Sequence, residues 1–308
     1  MKIKSKFIDW DGAGGAPGRI SSLTYDASTD ELIKNAGTSS EERLSIAPAG
    51  GGPAQIYVSG TGNDETGDGT EGKPYRQISK AVSVVQPHNG SKYTVYVDGG
   101  TYSNFEIAGG KQIDLTLRGD VTIQPTAAVS QGIYIKDHSI VQVLNDGTRR
   151  ALTFVNCYGG IVVENSNLKI NGSVSSLTAG ALCNRALIEA KENAYVMLYG
   201  APIVREAGSD IAINTTFSCW YGSRMYLNLS SLTMGNSSLR HYMFLYATYA
   251  SHIFLSGSNQ LVIPNAFTYG LYAANGSIIA HSGIGTNNAT TPTKTSDGGR
   301  IFTGAQEA

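Results

Sequence analysis

Three carboxylate side chains recur at almost equal intervals in this sequence, at Asp137, Glu164 and Glu192, each four residues before a short apolar segment. If one interval corresponds to one turn of a coiled chain, neighbouring carboxylates would stack about 5 Å apart. Retaining glycosidases use about this separation for a nucleophile and a general acid. Asp137 with Glu164, or Glu164 with Glu192, are therefore candidates for a catalytic pair that cleaves polysaccharide.

The same positions also have a structural interpretation. Asp and Asn are common in turns because their side chains form hydrogen bonds with nearby backbone groups. The spacing before Leu168 is one residue shorter than in the other repeats, so Asn165 rather than Glu164 fills the slot when the count starts from the preceding strand. The sequence leaves both interpretations open.

Aromatic residues in the later part of the chain form a second candidate site, on positions that should face outward. Tyr and Trp offer large contact areas at little cost in conformational entropy, so they suit stacking on sugar rings. The alternatives are a contact between subunits of an oligomer, or ordinary exposure of tyrosines on a strand. The predicted ligand-binding residues are Tyr134, Trp220, Tyr221, Tyr246, Tyr249 and Tyr272.

Other kinds of chemistry have weaker support. The loop NDETGDG at residues 63–69 contains clustered oxygen ligands of the kind that calcium prefers, but Gly with Asp is also typical of tight turns. The three cysteines form no CxxC motif, and no histidine lies in a recognisable nucleophile motif. We predict no metal and no cofactor.

Charge and hydropathy argue against several partners. The formal net charge is −1, and no block of Lys or Arg could follow a phosphate backbone, so nucleic acid is not an expected partner. No apolar run approaches the roughly 18 residues that a membrane-spanning helix needs. The first residues, MKIKSKFIDWDGAGG, lack the apolar core of a signal peptide, which predicts synthesis in a cytoplasm and no membrane insertion.

The elements that would position these residues belong to one repeat. Short apolar segments begin 26 to 29 residues apart, at Ile113, Val141, Leu168, Val196, Met225, Ile253 and Ile279. Such a steady interval is typical of a solenoid. The repeat therefore predicts stacked turns of chain rather than a compact sandwich.

A second apolar segment precedes each of these, with alternating pairs such as Ile133/Ile135 and Ile161/Val163. Alternation indicates strands with one face inward. A turn of this length with at least two strands can pair in parallel with its neighbours and bury a continuous column of aliphatic side chains. This predicts a parallel β-helix of about seven rungs.

Flanking segments suggest a cap and domain boundaries. Ile78, Ala81, Val82 and Val85 fall on one face of an amphipathic helix that ends before Pro87. Such a helix can cover the open end of a solenoid. The predicted domains are residues 1–54, an attachment module and linker; 55–110, the start, cap and first rung; 111–283, the β-helix; and 284–308, a polar tail or tip that does not continue the repeat.

The run IYVSGTGNDETGDGTEGKPYRQISKAVSVV at residues 56–85, with YTVYVDGGTYSNFEIAGG at 93–110, resembles the N-terminal cap of pectate-lyase-like β-helix proteins. The resemblance covers residues 56 to about 283. It implies an all-β fold, a right-handed parallel β-helix with a short capping helix and a small N-terminal attachment module. That superfamily includes lyases, hydrolases, phage tailspikes and adhesins, so it specifies the fold better than the chemistry.

A module ahead of a β-helix resembles the particle-anchoring part of phage tail fibres and tailspikes. From this resemblance we expect a virion tail protein that binds host cell-surface glycan, forms a homotrimer and contacts other tail or baseplate proteins through its N-terminal module. The alternative is a polysaccharide depolymerase, either a hydrolase or a lyase. The sequence favours binding without catalysis, because it contains no sharply defined catalytic set.

Overall fold

The protein is represented by a computed structural model. The structure describes residues 23–26, 31–34, 42–45, 55–87, 92–127, 130–172, 174–179, 185–199, 203–206, 215–229, 231–234, 241–257, 261–263, 267–282 and 284–304. The chain divides into two compact units, Met1–Ala54 and Gln55–Ala308. The first contains an antiparallel sheet of three strands in the order β1 (Leu23–Asp26), β2 (Glu31–Lys34) and β3 (Glu42–Ser45).

The described part of the second unit contains one helix, α1 (Ile78–Val84), and strands β4 to β29. Before residue 130 the strands are β4 (Gln55–Val58), β5 (Tyr93–Val97), β6 (Gly100–Tyr102), β7 (Phe105–Ile107), β8 (Gln112–Leu117) and β9 (Val121–Ile123). From residue 130 to 210 they are β10 (Ile133–Ile135), β11 (Ile140–Asn145), β12 (Arg150–Phe154), β13 (Ile161–Glu164), β14 (Asn167–Asn171), β15 (Val174–Ala179), β16 (Ala186–Lys191), β17 (Tyr195–Tyr199) and β18 (Ile203–Glu206). After residue 210 they are β19 (Thr215–Cys219), β20 (Arg224–Leu229), β21 (Ser231–Met234), β22 (His241–Ala247), β23 (His252–Gly257), β24 (Leu261–Ile263), β25 (Phe267–Ala273), β26 (Ile278–His281), β27 (Ile284–Asn287), β28 (Thr291–Thr295) and β29 (Arg300–Thr303).

These strands form the long sheets of a parallel β-solenoid. A ten-stranded sheet has the order β4-β5-β8-β11-β14-β17-β20-β23-β26-β29, and an eight-stranded sheet has the order β7-β10-β13-β16-β19-β22-β25-β28. A six-stranded sheet contains β6-β9-β12-β15-β18-β21, and β24 pairs with β27. The predicted all-β parallel β-helix is therefore confirmed.

The register of the ten-stranded sheet agrees with the sequence repeat. Val141 pairs with Ile113 on one side and with Leu168 on the other. The same register continues through Val196, Met225, Ile253 and Ile279. The expectation of about seven rungs came from these seven strand starts. In the structure the ladder also includes β4 and β5 before them and β29 after them.

The first strand of each repeat supplies a column of buried side chains in the eight-stranded sheet. Ile133 pairs with Ile161, which pairs with Ile188. The column continues through Phe217, Leu245 and Leu271, and all six side chains are at most 2% exposed. Complete burial of such a side chain stabilises the fold by about 1.5–3 kcal/mol, so this column is a large part of the driving force for stacking.

The capping helix lies at the beginning of the solenoid as the apolar pattern predicts. Ile78, Ala81 and Val82 are buried, and the chain leaves the helix at the buried Val85. The Lys111 Nζ donates a hydrogen bond to the Val82 carbonyl at 2.9 Å, which satisfies an acceptor in the last turn of the helix.

Backbone turns between the eight- and ten-stranded sheets share a left-handed conformation. Their first residue has a positive φ, between 45° and 57°, in seven successive turns: Asp137, Asn165, Glu192, Tyr221, Tyr249, Asn275 and Asp297. In six of these turns the next residue also has a positive φ, but Asn165 is followed directly by Ser166. The turn at Asn165 is therefore shorter by one left-handed residue, which accounts for the irregular spacing before Leu168.

Buried serines follow most of these turns, and three of their hydroxyls accept a hydrogen bond from the backbone of the turn next to them. The Ser166 hydroxyl accepts a hydrogen bond from the Ser139 backbone N–H at 3.1 Å, and the Ser277 hydroxyl accepts one from Ser251 at 3.1 Å. Ser223 does the same for Ala194 at 3.0 Å. These hydroxyls satisfy backbone donors that would otherwise be buried without a partner.

The sequence predicted that the repeat ends at residue 283, but in the structure three further strands continue it. β28 pairs in parallel with β25, β29 with β26, and β27 with β24. These strands are polar and leave many side chains exposed, so they lack the apolar alternation by which the earlier strands could be recognised. Residues 305–308 of the predicted tail lie outside the described residues.

Candidate functional site

Five of the six predicted ligand-binding residues lie together near the C-terminal end of the eight-stranded sheet. Tyr246 on β22 pairs with Tyr272 on β25, with both side chains on the outer face of the sheet. Trp220, Tyr221 and Tyr249 lie in the turns that follow β19 and β22. The solenoid therefore superposes aromatic residues that are about one repeat apart in sequence.

The rings form one continuous surface, which we call the aromatic strip and define as Tyr242, Tyr269, Tyr272, Tyr246, Trp220, Tyr249 and Tyr221. The ring centroids are 5.3 Å apart for Tyr242 and Tyr269, 5.6 Å for Tyr269 and Tyr272, and 5.3 Å for Tyr272 and Tyr246. Trp220 lies 5.2 Å from Tyr246 and 6.2 Å from both Tyr221 and Tyr249. Every ring is thus linked to the next by a contact in the range typical of aromatic pairs.

The two ends of the aromatic strip are exposed and its middle is half-buried. Tyr221 is 50% exposed, Tyr249 46% and Tyr242 44%. Tyr221 and Tyr249 stack almost in parallel, with centroids 4.8 Å apart and ring planes at 13°. Rigid rings that are held by each other and by a β-sheet lose little entropy when a ligand binds.

A cation lies beside the aromatic strip on the last strand of the sheet. Lys294 on β28 pairs with Tyr272, and its Nζ lies 4.6 Å from the Tyr269 ring centroid and 4.9 Å from that of Tyr272. Its Nζ also donates a hydrogen bond to the Tyr269 hydroxyl at 3.2 Å. This hydrogen bond raises the pKa of Lys294, so the ammonium is fully charged at neutral pH.

Tyr134, the sixth predicted residue, occupies the same outward column but is not part of the aromatic strip. Val162, Glu189 and Ser218 separate it from Tyr246 along the column. The ammonium groups of Lys136 and Lys191 lie 5.3 Å and 5.5 Å from its ring centroid. Its hydroxyl donates a hydrogen bond to Glu164, so the ring is enclosed by charged neighbours.

The three candidate carboxylates do not form the stacked column on which the catalytic hypothesis depended. Asp137 and Glu192 are left-handed turn residues, but the turn position between them is taken by Asn165. Glu164 is the last residue of β13, where it pairs with Lys191. The cause is the shorter turn at Asn165, which leaves Glu164 on the strand.

The environment of Glu164 also differs from that of a general acid. Its Oε2 lies 2.7 Å from Lys191 Nζ. Partial burial raises the pKa of Glu164, but the hydrogen bonds from Lys191 and Tyr134 outweigh this effect, and the net pKa is below the usual value. A glycosidase acid needs a raised pKa, so Glu164 is held in the wrong ionisation state for that role.

A different carboxylate, Glu189, has a raised pKa. It is 3% exposed and lies on β16, and burial raises its pKa although Arg185 opposes the effect. Arg185 binds both oxygens, with Nε–Oε2 and Nη2–Oε1 distances of 2.9 Å. This bidentate pair occupies the carboxylate, and we interpret it as structural.

The Gly/Asp loop uses its oxygens within the fold. Asp64 accepts hydrogen bonds from the backbone N–H groups of Arg76 and Gln77, at 2.8 Å and 3.1 Å, just before the capping helix. Asp68 accepts bonds from the backbone and hydroxyl of Thr70. Among the described residues, no group of three His, Cys, Asp or Glu side chains could hold a metal ion.

The predicted ligand-binding residues include the centre of the aromatic strip and the end at Tyr221, but not the end at Tyr242. Tyr242 and Tyr269 are aromatic residues of the later part of the chain but were not among the predicted ligand-binding residues, and neither was Lys294. The signal that could have identified Lys294 is its position about one repeat after Tyr272. The spacing is 22 residues, which is shorter than the 26 to 29 residues between the earlier strand starts. Tyr226, another aromatic residue of the later part of the chain, lies instead in the ten-stranded sheet, where it stacks on Phe254 with ring centroids 4.8 Å apart.

The fold and this surface define a parallel β-helix protein with an outward-facing aromatic strip. The profile of the family described as "Protein of unknown function (DUF1565)" matches residues 60–215. This is half of the chain, which belongs to the DUF1565 family. The match includes the capping helix and the rungs before the aromatic strip.

Similarity also extends to a transmembrane domain-containing protein of Dictyostelium discoideum, which is 32% identical over 90 residues. The aligned part is 27% of this chain, and the chain spans only 6% of the length of that relative. No solved structure matches the chain. In the part of this chain that the structure describes, no helix is long and apolar enough to cross a membrane.

Proposed function

We propose that this protein is a receptor-binding fibre component, a tail fibre or tailspike of a phage or phage-like particle, and that its aromatic strip adsorbs to glycan on the host cell surface. The observation that carries this proposal is the unbroken series of ring contacts from Tyr242 to Tyr221, along the eight-stranded sheet and into the turns that follow its strands. A series of rings suits an extended ligand such as a polysaccharide, which can stack at several successive sugars.

The carboxylates do not favour the depolymerase alternative. Glu164 is paired with Lys191, and Glu189 is paired at both oxygens with Arg185. Asp137 and Glu192 are separated in the turn column by Asn165. We therefore propose binding without cleavage, with residues 1–54 as the attachment to other tail or baseplate proteins.

Binding can be tested with surface polysaccharides purified from candidate host strains, immobilised and exposed to the protein. Hot-spot aromatics contribute about 2 kcal/mol or more each, which is about thirtyfold in affinity, so the double variant Tyr221→Ala/Tyr249→Ala should bind at least about thirtyfold more weakly. Tyr199→Ala is the matched control, because Tyr199 is 62% exposed on the ten-stranded sheet and lies outside the aromatic strip.

The same incubations distinguish binding from cleavage. We expect saturable binding without new reducing ends and without the absorbance of unsaturated uronates. Turnover that is abolished by Glu192→Gln would contradict the proposal and favour the depolymerase. Failure to bind any host polysaccharide would contradict the assignment of the aromatic strip as a glycan site.

The proposed assembly is a homotrimer, as the resemblance to tail fibres implies. Multi-angle light scattering of the full chain should give three times the mass of one chain, which is 32.5 kDa. A monomer mass would contradict the trimer. It would leave the glycan-binding proposal standing, because every residue of the aromatic strip comes from one chain.

A further inference from the structure

The rungs that carry the aromatic strip have an unusual charge distribution. Residues 215–304 contain a single acidic residue, Asp297, against four basic ones, Arg224, Arg240, Lys294 and Arg300. The whole chain has a formal charge of −1, so this part is positive relative to the rest. A locally positive surface attracts anionic ligands and raises their local concentration.

Lys294 places one of these positive charges on the aromatic strip. Arg224 and Arg300 begin strands of the ten-stranded sheet, whereas Lys294 lies on the eight-stranded sheet next to Tyr272. An ammonium has three N–H donors, and the Tyr269 hydroxyl accepts one hydrogen bond from it. The ring faces of Tyr269 and Tyr272 fix the ammonium and leave donors for an anionic group of a ligand.

Other polar groups on the aromatic strip are neutral. Burial raises the pKa of the Tyr246 hydroxyl, which therefore stays protonated at physiological pH. The buried carboxylate of Glu189 lies two strands from Tyr246 along the outward column and is paired with Arg185. A ligand carboxylate at Lys294 would thus meet a cation and the neutral rings of the strip. Asp297, the acidic residue of these rungs, lies in the turn that follows β28.

We propose that the ligand of the aromatic strip is an acidic polysaccharide, in which a sugar carboxylate pairs with Lys294 while neighbouring sugar rings stack on Tyr272, Tyr246 and Trp220. This inference rests on the proposed glycan-binding function and names the chemical class of the glycan. It assigns Lys294 as the residue that selects charged over neutral polymers.

The test uses pairs of polymers that differ only in charge. Polygalacturonate, alginate and hyaluronate are each compared with their carboxyl-methylated forms, together with candidate host polysaccharides separated into acidic and neutral fractions. Binding is measured by biolayer interferometry at low salt and at physiological salt, where the Debye length is about 8 Å. We expect at least one acidic polymer to bind about tenfold more tightly than its neutral counterpart, with a preference that weakens as salt rises.

Variants assign this preference to Lys294. Lys294→Met should reduce binding of the acidic polymer to the level of the neutral one, while Lys294→Arg should keep most of the preference. Lys169→Met is the matched control, because Lys169 is an exposed lysine on the ten-stranded sheet. Unchanged thermal unfolding of each variant verifies that the fold is intact.

The outcomes separate this inference from the proposed function. Equal or tighter binding of the neutral polymers would overturn the inference while glycan binding stands. An acidic preference that persists in Lys294→Met, or is lost equally in Lys169→Met, would overturn the role of Lys294. Binding to none of the polymers or host fractions would contradict the glycan-binding function itself.

Discussion

The Nζ of Lys191 lies 2.7 Å from the Oε2 of Glu164 on the neighbouring strand, and the Tyr134 hydroxyl donates to the same oxygen. Both members of the ion pair are less than one-third exposed. Lys136 and Glu106 form a second ion pair nearby, at 3.2 Å. Opposite charges on adjacent strands therefore enclose Tyr134 and stabilise the stacking of these rungs.

Glu164→Gln should lower the free energy of unfolding by about 1 kcal/mol, because the charge-assisted hydrogen bonds from Lys191 and Tyr134 become weaker bonds to a neutral amide oxygen. Urea denaturation followed by circular dichroism measures the change. The control is Glu106→Gln, whose carboxylate is 48% exposed and should contribute less. An equal or larger loss in the control would contradict the importance of the Glu164 contact.

The pair formed by Arg185 and the buried Glu189 makes a stronger prediction. Arg185→Met leaves a carboxylate that is 4% exposed without its cation, which should cost about 3 kcal/mol at neutral pH. The double variant Arg185→Met/Glu189→Leu removes both charges and should recover most of this loss. Chemical denaturation of the wild type, of the single variants Arg185→Met and Glu189→Leu, and of the double variant completes the cycle.

A pH series adds a second readout for the same pair. In Arg185→Met, burial remains the largest influence and raises the pKa of Glu189, while Lys191 lowers it and Glu164 raises it by smaller amounts. The folded state therefore takes up a proton more readily than the unfolded chain. The lost stability should therefore return partly as the pH falls toward the usual range of a carboxyl group. A loss that does not depend on pH would show that Arg185 acts through packing rather than charge.

The sequence predicted the strand register well, because a buried column tolerates only apolar side chains at alternate positions. Ile133, Ile161 and Ile188 are in register because each fills the same space in successive turns. Prediction failed where this constraint is absent. The exposed face of β28 contains Lys294 among threonines, and nothing apolar marks the strand.

The position of Glu164 could not be predicted for a related reason. The turn before Leu168 is one residue shorter than the others, and the missing residue can be assigned to either side of Glu164. Both assignments leave the same apolar residues buried in the flanking strands. The backbone decides in favour of Asn165, since Asn adopts the left-handed conformation more readily than Glu. The sequence therefore identified the candidate residues but not which of them share a column.

The left-handed turns offer a matched pair of backbone substitutions. Ala250 has φ 57° and is exposed, and Gly276 has φ 72° at the equivalent position of the next turn. A Cβ added at Gly276 would meet nothing within 4 Å. Ala250→Gly should therefore stabilise the protein by about 1 kcal/mol and Gly276→Ala should destabilise it similarly, because an L-residue pays roughly 1–2 kcal/mol in this conformation. Thermal unfolding checks both signs, and shifts in the same direction would contradict the backbone explanation.

Two half-buried histidines predict how stability changes with pH. Burial lowers the pKa of His281, and burial together with the charge of Arg224 lowers that of His252, both from a usual value of 6.5. Below pH 6.5 the unfolded chain therefore binds more protons than the folded protein. The free energy of unfolding should fall as the pH drops from about 7.5 to about 5.5, a range in which unperturbed carboxyl groups remain ionised.

The variant His252→Gln/His281→Gln should show a flatter dependence on pH, because neither position can then take up a proton on unfolding. At pH 8 both histidines are neutral in the folded and unfolded states, so the variant's stability there measures the loss of packing and of the contact between His281 and Thr303. Urea denaturation at intervals of half a pH unit gives the slope. A slope equal to that of the wild type would mean that other groups cause the acid sensitivity. If the free energy of unfolding loses its dependence on pH only when both histidines are replaced, both of them cause the acid sensitivity.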